Sequence, residues 1–378
     1  MPADNLGVRK GIVDAKRVVI KIGSSSLTRD DGRLDLNRID QVAGIVARMT
    51  RRGQQVVLVS SGAVAAGIDP LGLPGRPRDL PTAQACAAMG QGLLVARWAA
   101  AFQTHFRHVA QVLFTVEDVM RRDHYNNARQ ALERLLHFGV VPIVNENDTV
   151  STADVRFGDN DRLAAYVSHL IDADALVLLT DVDGLYTAPP SSKNAKFIEQ
   201  VTSLEDLKAV VTDAEGSVLG TGGMTTKVAA AVMAVESGVE VVLCSADALT
   251  EAVDGQRVGT HFPSTGKRRP SRTLWIAHAA RSRGQLVLDE GAVHAITVRK
   301  KSLLLAGVLA VRGDFTAGEV VELIGSSGLV ARGIASYDSD IADRFKGMSL
   351  EELRQAGAHD TRPVIHRDDM ALLEAPLR

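Results

Sequence analysis

Short apolar runs rich in Val, Ile and Leu alternate with helical patterns as far as about residue 265, and this alternation constrains the fold more than any other feature. The runs contain almost no polar residues and lie at Val18–Ile22, Val56–Val59, Val109–Phe114, Val140–Val144, Ala175–Leu179 and Val239–Leu243. Uninterrupted apolar strands are typical of parallel sheets whose two faces are both covered by helices. We therefore expect an α/β fold with an open, mainly parallel sheet sandwiched by helices. Asp35–Arg51 is predicted to be one of these helices, ending before Gly53.

The pattern changes after Asp254. Between Gly255 and Leu288 the chain has seven basic residues and no acidic residue, and it contains Pro263 and Pro270. Such a stretch is typical of a domain boundary. Beyond it, glycines separate short strands, which predicts a small β-barrel with strands at Gln285–Leu288, Leu303–Val311, Glu319–Ile324 and Leu329–Ala335.

These patterns divide the chain into five parts. We expect an N-terminal extension at 1–16, an α/β domain at 17–265, a linker at 266–284, a β-barrel domain at 285–365 and a C-terminal tail at 366–378. Within the barrel domain, Asp338–Arg354 is predicted to be helical. The last dozen residues are predicted to be frayed.

Composition excludes several classes of protein. Of the 378 residues, 46% are hydrophobic and 23% are charged, so wholesale disorder is excluded, and a net charge of −2 argues against bulk binding of nucleic acid. Two cysteines, Cys86 and Cys244, are too few for a disulfide framework and are expected to be small core residues. We see no signal peptide and no uninterrupted apolar stretch of membrane-spanning length, which predicts a soluble, cytoplasmic protein without membrane contact.

Polar and glycine-rich clusters follow the predicted strands, at the end of the sheet where ligands bind in this kind of fold. One of five such clusters, Gly220–Lys227, opens a helix. Its glycines and the helix N-terminus favour an anion, and Lys227 adds a full positive charge. Phosphate binding is the natural inference. The other four clusters are Lys21–Ser24, Ser60–Ala63, Asn145–Asp148 and Thr180–Gly184.

Other ligand motifs do not fit these clusters. The chain has no Walker A loop, and Thr225 stands where a dinucleotide-binding fingerprint needs its third glycine. A calcium loop beginning at Asp181 would have Ser192 where glutamate is required, and no zinc motif is present. Taken one at a time, Lys21 is also compatible with a solvated surface lysine, and Asn145–Asp148 with ordinary turn chemistry.

Eight segments together resemble the amino acid kinase family, in the two-domain branch that phosphorylates glutamate and carries a C-terminal PUA domain. The resemblance covers about residues 17–370. The Asn-Glu-Asn-Asp and Gly-Thr-Gly-Gly-Met segments are specific to this branch. The segments are Val19–Ser25, Val59–Gly67, Gln84–Gln91, Pro142–Asp148, Phe157–Asp161, Leu178–Tyr186, Leu219–Lys227 and His366–Met370.

The resemblance implies ATP-dependent phosphorylation of the γ-carboxylate of L-glutamate to L-glutamyl 5-phosphate, the first step of proline synthesis. A glutamate side chain is already ionised at neutral pH, so the reaction needs no general base to create its nucleophile. The difficulty is bringing a carboxylate in line with a polyanionic triphosphate, so catalysis should rest on positioning and charge neutralisation. Two lysines and Mg²⁺ suit that task.

The resemblance also implies the roles of individual residues. Lys21 and Lys227 would contact ATP and the transferring phosphoryl group, and Asp161 would orient both lysines. Ser61, Asp148 and Asn160 match the glutamate-binding positions, with Asp148 pairing the substrate ammonium. The ATP-binding positions are Lys21, Thr180, Asp181, Thr221, Gly222, Gly223, Met224, Thr225, Thr226 and Lys227. No protein ligand for Mg²⁺ is implied. The segment Thr187–Ser192 departs from the family pattern and is predicted to touch none of these positions.

Two alternatives remain open. Another amino acid kinase branch, such as an acetylglutamate or aspartate kinase, would keep the sheet and Lys21 but change the acceptor pocket. PUA domains occur mainly in RNA-modifying enzymes, yet from Gln285 onward the chain has 11 Lys and Arg against 14 Asp and Glu. An acidic module binds phosphate backbones poorly, so RNA is not an expected partner. The resemblance further implies a homo-oligomer with proline as feedback inhibitor.

Overall fold

The computed structural model divides the chain into two compact units, Met1–Arg268 and Arg269–Arg378. The structure describes residues 8–29, 31–115, 118, 122–150, 160–203, 206–207, 223–264, 266, 273, 276–277, 282–355 and 362–372. Each unit has its own sheet and its own cluster of buried apolar side chains.

A seven-stranded sheet in the order β3-β4-β2-β1-β5-β8-β9 forms the centre of the first unit. Every pairing is parallel except that of the last strand, β9, with β8. This confirms the predicted open, mainly parallel sheet. The strands are β1 at Arg17–Ile22, β2 at Gln55–Ser60, β3 at Val109–Phe114, β4 at Val141–Glu146, β5 at Ala175–Thr180, β8 at Glu240–Ser245 and β9 at Thr260–Phe262. A separate two-stranded sheet pairs β6, Leu185–Tyr186, with β7, Phe197–Ile198.

Helices cover both faces of the seven-stranded sheet, as uninterrupted apolar strands require. On one face, α3, α5 and α9 join the buried residues of the strands in one apolar cluster. On the other face, α7 packs on the central strands, and α8 packs on β5 and β8. The helices are α1 at Lys10–Val13, α2 at Ser24–Leu27, α3 at Leu36–Arg51, α4 at Ala63–Ile68, α5 at Leu80–Gln103, α6 at Arg122–His137, α7 at Asn160–Leu170, α8 at Gly223–Glu236 and α9 at Leu249–Val253.

Helix α3 follows its predicted limits because both ends carry local signals. The carboxylate of Asp35 accepts a hydrogen bond from the Arg38 backbone N–H at 3.2 Å, which caps the helix N-terminus. Two residues beyond Arg51, Gly53 has φ +87°, a left-handed conformation that favours glycine and stops the helix.

Part of the predicted N-terminal extension belongs to the core of the first unit. Ile12 and Ala15 are buried in the same apolar cluster as the strands. The Arg9 guanidinium donates to the backbone carbonyls of Val258 and Gly259 at 2.5 and 3.2 Å, and burial lowers its pKa. The segment is too short and too mixed in charge to give a periodic signal, so sequence patterns did not place it in the core.

Helices α4 and α5 approach each other closely because glycines lie at their contact. A Cβ atom on Gly90 would lie 1.8 Å from the Ala63 carbonyl oxygen, and one on Gly67 would lie 2.0 Å from that of Cys86. By length and composition alone α5 could cross a membrane. Its Trp98 is fully buried, however, and donates its indole N–H to Ser60 Oγ at 3.0 Å, which fixes the helix beside the carboxyl end of β2.

The second unit contains a five-stranded sheet in the order β11-β10-β12-β13-β14. Its strands are β10 at Ser282–Leu288, β11 at Val308–Gly313, β12 at Val320–Gly325, β13 at Gly328–Ile334 and β14 at Met370–Leu372, and its helices are α10 at Glu290–Thr297, α11 at Ser339–Phe345 and α12 at Leu350–Gln355. The predicted helix at Asp338–Arg354 is thus divided in two, with Gly347 at φ +77° between the halves.

Two expectations for this unit were wrong. The predicted strand Leu303–Val311 begins only at Val308, because residues 305–307 form a 3₁₀ turn. The last dozen residues are not frayed throughout, since β14 pairs with β13 and buries Met370 and Ala371. A three-residue strand carries too little pattern to be recognised from sequence.

We expect Gly90→Ala to destabilise the first unit, because the new methyl group would meet the backbone of α4 rather than a movable side chain. Overpacking of this kind costs about 1–3 kcal/mol, read as a lower Tm of the full chain. Gly92→Ala on the same helix is the matched control, because nothing lies within 4 Å of its Cβ position. This control should stabilise the helix by about 0.5–1 kcal/mol. An unchanged Tm for Gly90→Ala would contradict the close contact.

Candidate active site

The carboxyl ends of four neighbouring strands place the candidate residues at one edge of the sheet. Lys21 lies at the end of β1, Ser61 directly follows β2, Asn145 ends β4 with Glu146, and Thr180 ends β5. Because β4, β2, β1 and β5 are adjacent and parallel, these side chains come together although up to 159 positions separate them in the sequence.

At the centre of this edge, a buried carboxylate binds two lysines. Asp161, at the start of α7, has Oδ1 at 2.6 Å from Lys21 Nζ and Oδ2 at 2.8 Å from Lys227 Nζ. Asp161 is 0% exposed, and the lysine side chains are 2% and 11% exposed. Among the described residues of this cluster, two positive charges face one negative charge, which suits it to an anionic ligand.

A second group of polar side chains lies beside this cluster. The Asn160 amide donates to Ser61 Oγ at 2.7 Å and to Asn145 Oδ1 at 2.9 Å, and the same Asn145 oxygen accepts from the Glu146 backbone N–H. Asn160 Oδ1 is buried and has no hydrogen-bond partner within the described part of the chain. An orphaned buried acceptor carries a free-energy cost, which a ligand N–H or ammonium would offset.

Two cavities open on this edge. The first, which we call the β5 cavity, has a volume of about 550 Å³ and is lined by Lys21, Lys227, Gly223, Met224 and residues at and after the end of β5, including Thr180 and Asp181. The second, which we call the β2 cavity, has a volume of about 900 Å³ and is lined by Ser61, Asp148, Asn160 and residues of the α2–α3 and α4–α5 loops. The two cavities share Ser24, Ser25, Ser61 and Arg76 as lining residues.

The structure therefore brings together Lys21, Lys227 and Asp161, with Thr180 and Asp181 on one side and Ser61, Asp148 and Asn160 on the other. Thr225 is exposed on α8, and Thr226 donates its hydroxyl to the Gly223 carbonyl, so neither is among the described residues that line the β5 cavity. Thr221 and Gly222 lie outside the described residues.

Sequence reasoning missed several residues of the site. Ala188, Pro189 and Pro190 line the β5 cavity, a place that the sequence analysis did not give to any residue of Thr187–Ser192. Tyr186 also lines it, packs edge-to-face on Phe197 with ring centroids 5.4 Å apart, and donates its hydroxyl to Asp183. The pair Pro189-Pro190 is the only signal in the sequence that could have indicated a stiff cavity wall.

The described residues favour neither a reactive cysteine nor a preformed metal site. Burial raises the pKa of the Cys244 thiol to about 12 and also raises that of Cys86, so both thiols stay protonated at neutral pH. Among the described residues, no group of three or more His, Cys, Asp or Glu side chains could hold a metal ion.

Comparisons with known proteins agree with the fold and with the residues brought together at this site. Residues 16–245 match the amino acid kinase family, and residues 284–356 match the PUA domain. This chain belongs to the amino acid kinase family. A solved carbamate kinase from Giardia lamblia bound to AMP-PNP shares the fold with a TM-score of 0.51 at 18% identity, covering 66% of this chain and 98% of that one.

Full-length relatives carry a more specific name. The chain is 53% identical to a glutamate 5-kinase of Thermobifida fusca, over 97% of this chain and 95% of the relative. It is 51% identical to a glutamate 5-kinase of Salinispora arenicola and 50% identical to one of Streptomyces coelicolor, in both cases over 97% of this chain and at least 99% of the relative.

We expect Asp161→Asn to destabilise the protein more than Lys21→Met, although both remove one charge from the same cluster. The first leaves two buried lysines without the carboxylate they share, and breaking a buried pair in this way costs about 3–5 kcal/mol. The second leaves one carboxylate facing one lysine. Thermal unfolding of both variants and their double variant, without ligand, measures the difference. Equal losses would contradict the charge argument.

Proposed function

We propose that this chain is an ATP-dependent kinase that phosphorylates the γ-carboxylate of L-glutamate to L-glutamyl 5-phosphate, and so acts in proline biosynthesis. Support for the acceptor comes from relatives named glutamate 5-kinase that are about 50% identical over nearly the whole chain. Support for the chemistry comes from one observation. The β5 and β2 cavities meet beside the cluster in which Asp161 holds Lys21 and Lys227.

In the proposed reaction, an oxygen of the glutamate γ-carboxylate forms a bond to the γ-phosphorus of ATP while the bond from that phosphorus to the β–γ bridging oxygen breaks. ADP leaves with that oxygen. The carboxylate is already ionised at neutral pH, so no residue has to remove a proton. The protein must hold two anions in line and balance the charge that spreads over the phosphoryl oxygens.

The nucleotide would occupy the β5 cavity. Lys21 and Lys227 would bind the transferring phosphoryl group and the leaving phosphate oxygens, and Asp161 would keep both ammonium groups aimed at the cavity. Thr180, Asp181 and the 221–227 segment would hold the rest of the nucleotide. Support for this assignment is the positive excess of the buried cluster and the start of α8 at Gly223, where helix N–H groups favour an anion.

Glutamate would occupy the β2 cavity. Asp148 would pair the substrate ammonium, and Asn160 Oδ1, buried without a partner in the described chain, would accept a hydrogen bond from the same group. Ser61 would contact the γ-carboxylate, because it lines both cavities and so lies where acceptor and donor meet.

We propose Mg²⁺ as the metal that accompanies ATP. Mg²⁺ takes one or two carboxylates and several phosphate or water oxygens rather than an all-protein cage, so a cavity with few acidic residues fits it. Asp181 is the one carboxylate among the described residues lining the β5 cavity, and it would be the protein's contribution. When bound, the ion would neutralise charge on the phosphates.

We also propose that the chemistry belongs to the first unit, as every described residue lining the two cavities falls before Arg268. Feedback inhibition by proline would act at the β2 cavity, because proline carries the same α-carboxylate and a cationic amine. A homo-oligomer and a cytoplasmic location remain proposals from the family resemblance, and RNA is not proposed as a partner.

The wild-type chain, given ATP, Mg²⁺ and glutamate, should produce an acyl phosphate that hydroxylamine traps as a hydroxamate. In the same assay Lys21→Ala should lose about 10²–10³ in rate, because a preset charge at the transferring phosphoryl group is removed. The exposed Lys10→Ala serves as control and should stay within twofold. Hydroxamate formed only with another amino acid or carboxylic acid would refute the glutamate assignment.

Asp148→Ala should raise the KM for glutamate strongly and leave the KM for ATP nearly unchanged, because truncating a carboxylate that pairs a ligand charge costs about 2–5 kcal/mol of binding. Asp181→Ala should give the reciprocal result, a raised KM for ATP with the KM for glutamate spared. If both variants changed the same KM, the division of the site into two cavities with separate substrates would be wrong.

A further inference from the structure

Arg76 is the one charged residue shared by both cavities among the described residues that line them. The other three shared residues, Ser24, Ser25 and Ser61, are serines. A cation shared by these two neighbouring cavities lies where the reacting groups of the two proposed substrates would meet. Neither sequence patterns nor the family motifs assign this arginine a role.

The charges lining the β2 cavity make Arg76 distinctive. Among the described residues that line it, four are acidic, Asp31, Asp69, Glu146 and Asp148, and two are basic, Arg33 and Arg76. Arg33 already forms ion pairs with two acidic neighbours. Its Nε lies 2.7 Å from Asp69 Oδ2, and its Nη1 lies 4.0 Å from Asp31 Oδ2. Arg76 has no acidic partner within 4.0 Å in the described part of the chain, so its guanidinium is available to a ligand.

The proposed reaction needs a positive charge at this place. Lys21 and Lys227 line the β5 cavity and share their charge with Asp161. They would neutralise the nucleotide, whereas the approaching carboxylate would enter through a cavity with an acidic excess. A guanidinium carries five N–H donors in a planar fork and can bind a carboxylate and a phosphate together, which a lysine ammonium does less well.

We propose that the guanidinium of Arg76 bridges the γ-carboxylate of the acceptor and the transferred phosphoryl group, and so acts as a third cationic catalytic residue. This inference rests on the proposed function, since it assumes that an anionic acceptor occupies the β2 cavity. Arg76 offsets the repulsion between the two anions and binds the charge that develops on the phosphoryl oxygens.

The local chain favours this role. Arg76 stands between Pro74 and Pro77 in the loop joining α4 and α5. Proline fixes its own φ and restricts the residue before it to extended conformations, so Pro77 limits the backbone of Arg76. The backbone of Arg76 itself therefore loses less entropy on ordering than that of an unrestricted residue.

The neighbouring Arg78 provides a matched control. It belongs to the same loop and is also exposed, but it lines neither cavity. If exposed arginines of this loop served only solubility or loop stability, substitutions at 76 and 78 would have equal effects. The comparison of Arg76→Gln with Arg78→Gln thus separates a role at the junction from a general one.

The test measures kcat and KM for both substrates by the hydroxamate assay in wild type, Arg76→Gln, Arg76→Lys and Arg78→Gln. We expect Arg76→Gln to lower kcat by about 10²–10³ and Arg76→Lys to recover only part of this loss. Arg78→Gln should stay within twofold of wild type. The Kd for ATP without glutamate, measured by calorimetry, should change less than threefold in every variant, and the Tm should not change because Arg76 is exposed.

A further variant, Arg76→Ala, should regain activity when guanidinium chloride is added at millimolar concentration, while Lys21→Ala should not. The inference is overturned if Arg76→Gln keeps kcat within threefold of wild type, if Arg78→Gln loses as much, or if the loss in Arg76→Gln follows a fall in Tm. Wild type that forms no hydroxamate from glutamate overturns the proposed function itself. Active wild type with unaffected Arg76 variants overturns only the role of Arg76.

Discussion

The pairing of one buried carboxylate with two lysines is the interaction on which the site depends. Asp161 fixes Lys21 of β1 and Lys227 of α8 from the first turn of α7, and so ties together three elements that are far apart in the sequence. Burying such charges costs free energy unless each is matched closely, so few other arrangements of these elements are tolerated. The lysines are consequently aimed at the β5 cavity before any ligand arrives.

The parallel sheet and the close helix pair beside it convert this pairing into a two-sided site. β1 and β5 present their carboxyl ends to the β5 cavity, and β2 and β4 present theirs to the β2 cavity. Glycines at the α4–α5 contact let the two helices pack closely, and the indole N–H of Trp98 on α5 donates to Ser60 Oγ at the end of β2. Preset positions of this kind lower the entropic cost of aligning two substrates.

Sequence patterns predicted most of the first sheet because β1, β2, β4 and β5 are buried almost throughout and their apolar runs are long. The pairing of Lys21 with Asp161 could not be derived from periodicity, since 140 positions separate the two residues, and only the family motif suggested it. Arg9, β14 and the Pro189-Pro190 wall were missed because each is short. Arg76 was missed for another reason. An arginine in a turn-rich loop has the same local signature as a solvated surface residue, and only the tertiary fold shows that both cavities meet there.

The opposite charges of the two cavities bear on which acceptor the site selects. The described residues lining the β5 cavity include three basic side chains and one acidic one, whereas those lining the β2 cavity include two basic and four acidic ones. A simple dicarboxylate would be repelled by the acidic excess, but an amino acid brings an ammonium group that Asp148 and Asn160 Oδ1 would bind. Acetylation of that amine removes its charge and would leave the β2 carboxylates without a ligand cation, which costs binding free energy. The electrostatics therefore favour free glutamate over acetylglutamate, and they do so with residues on the acceptor side alone.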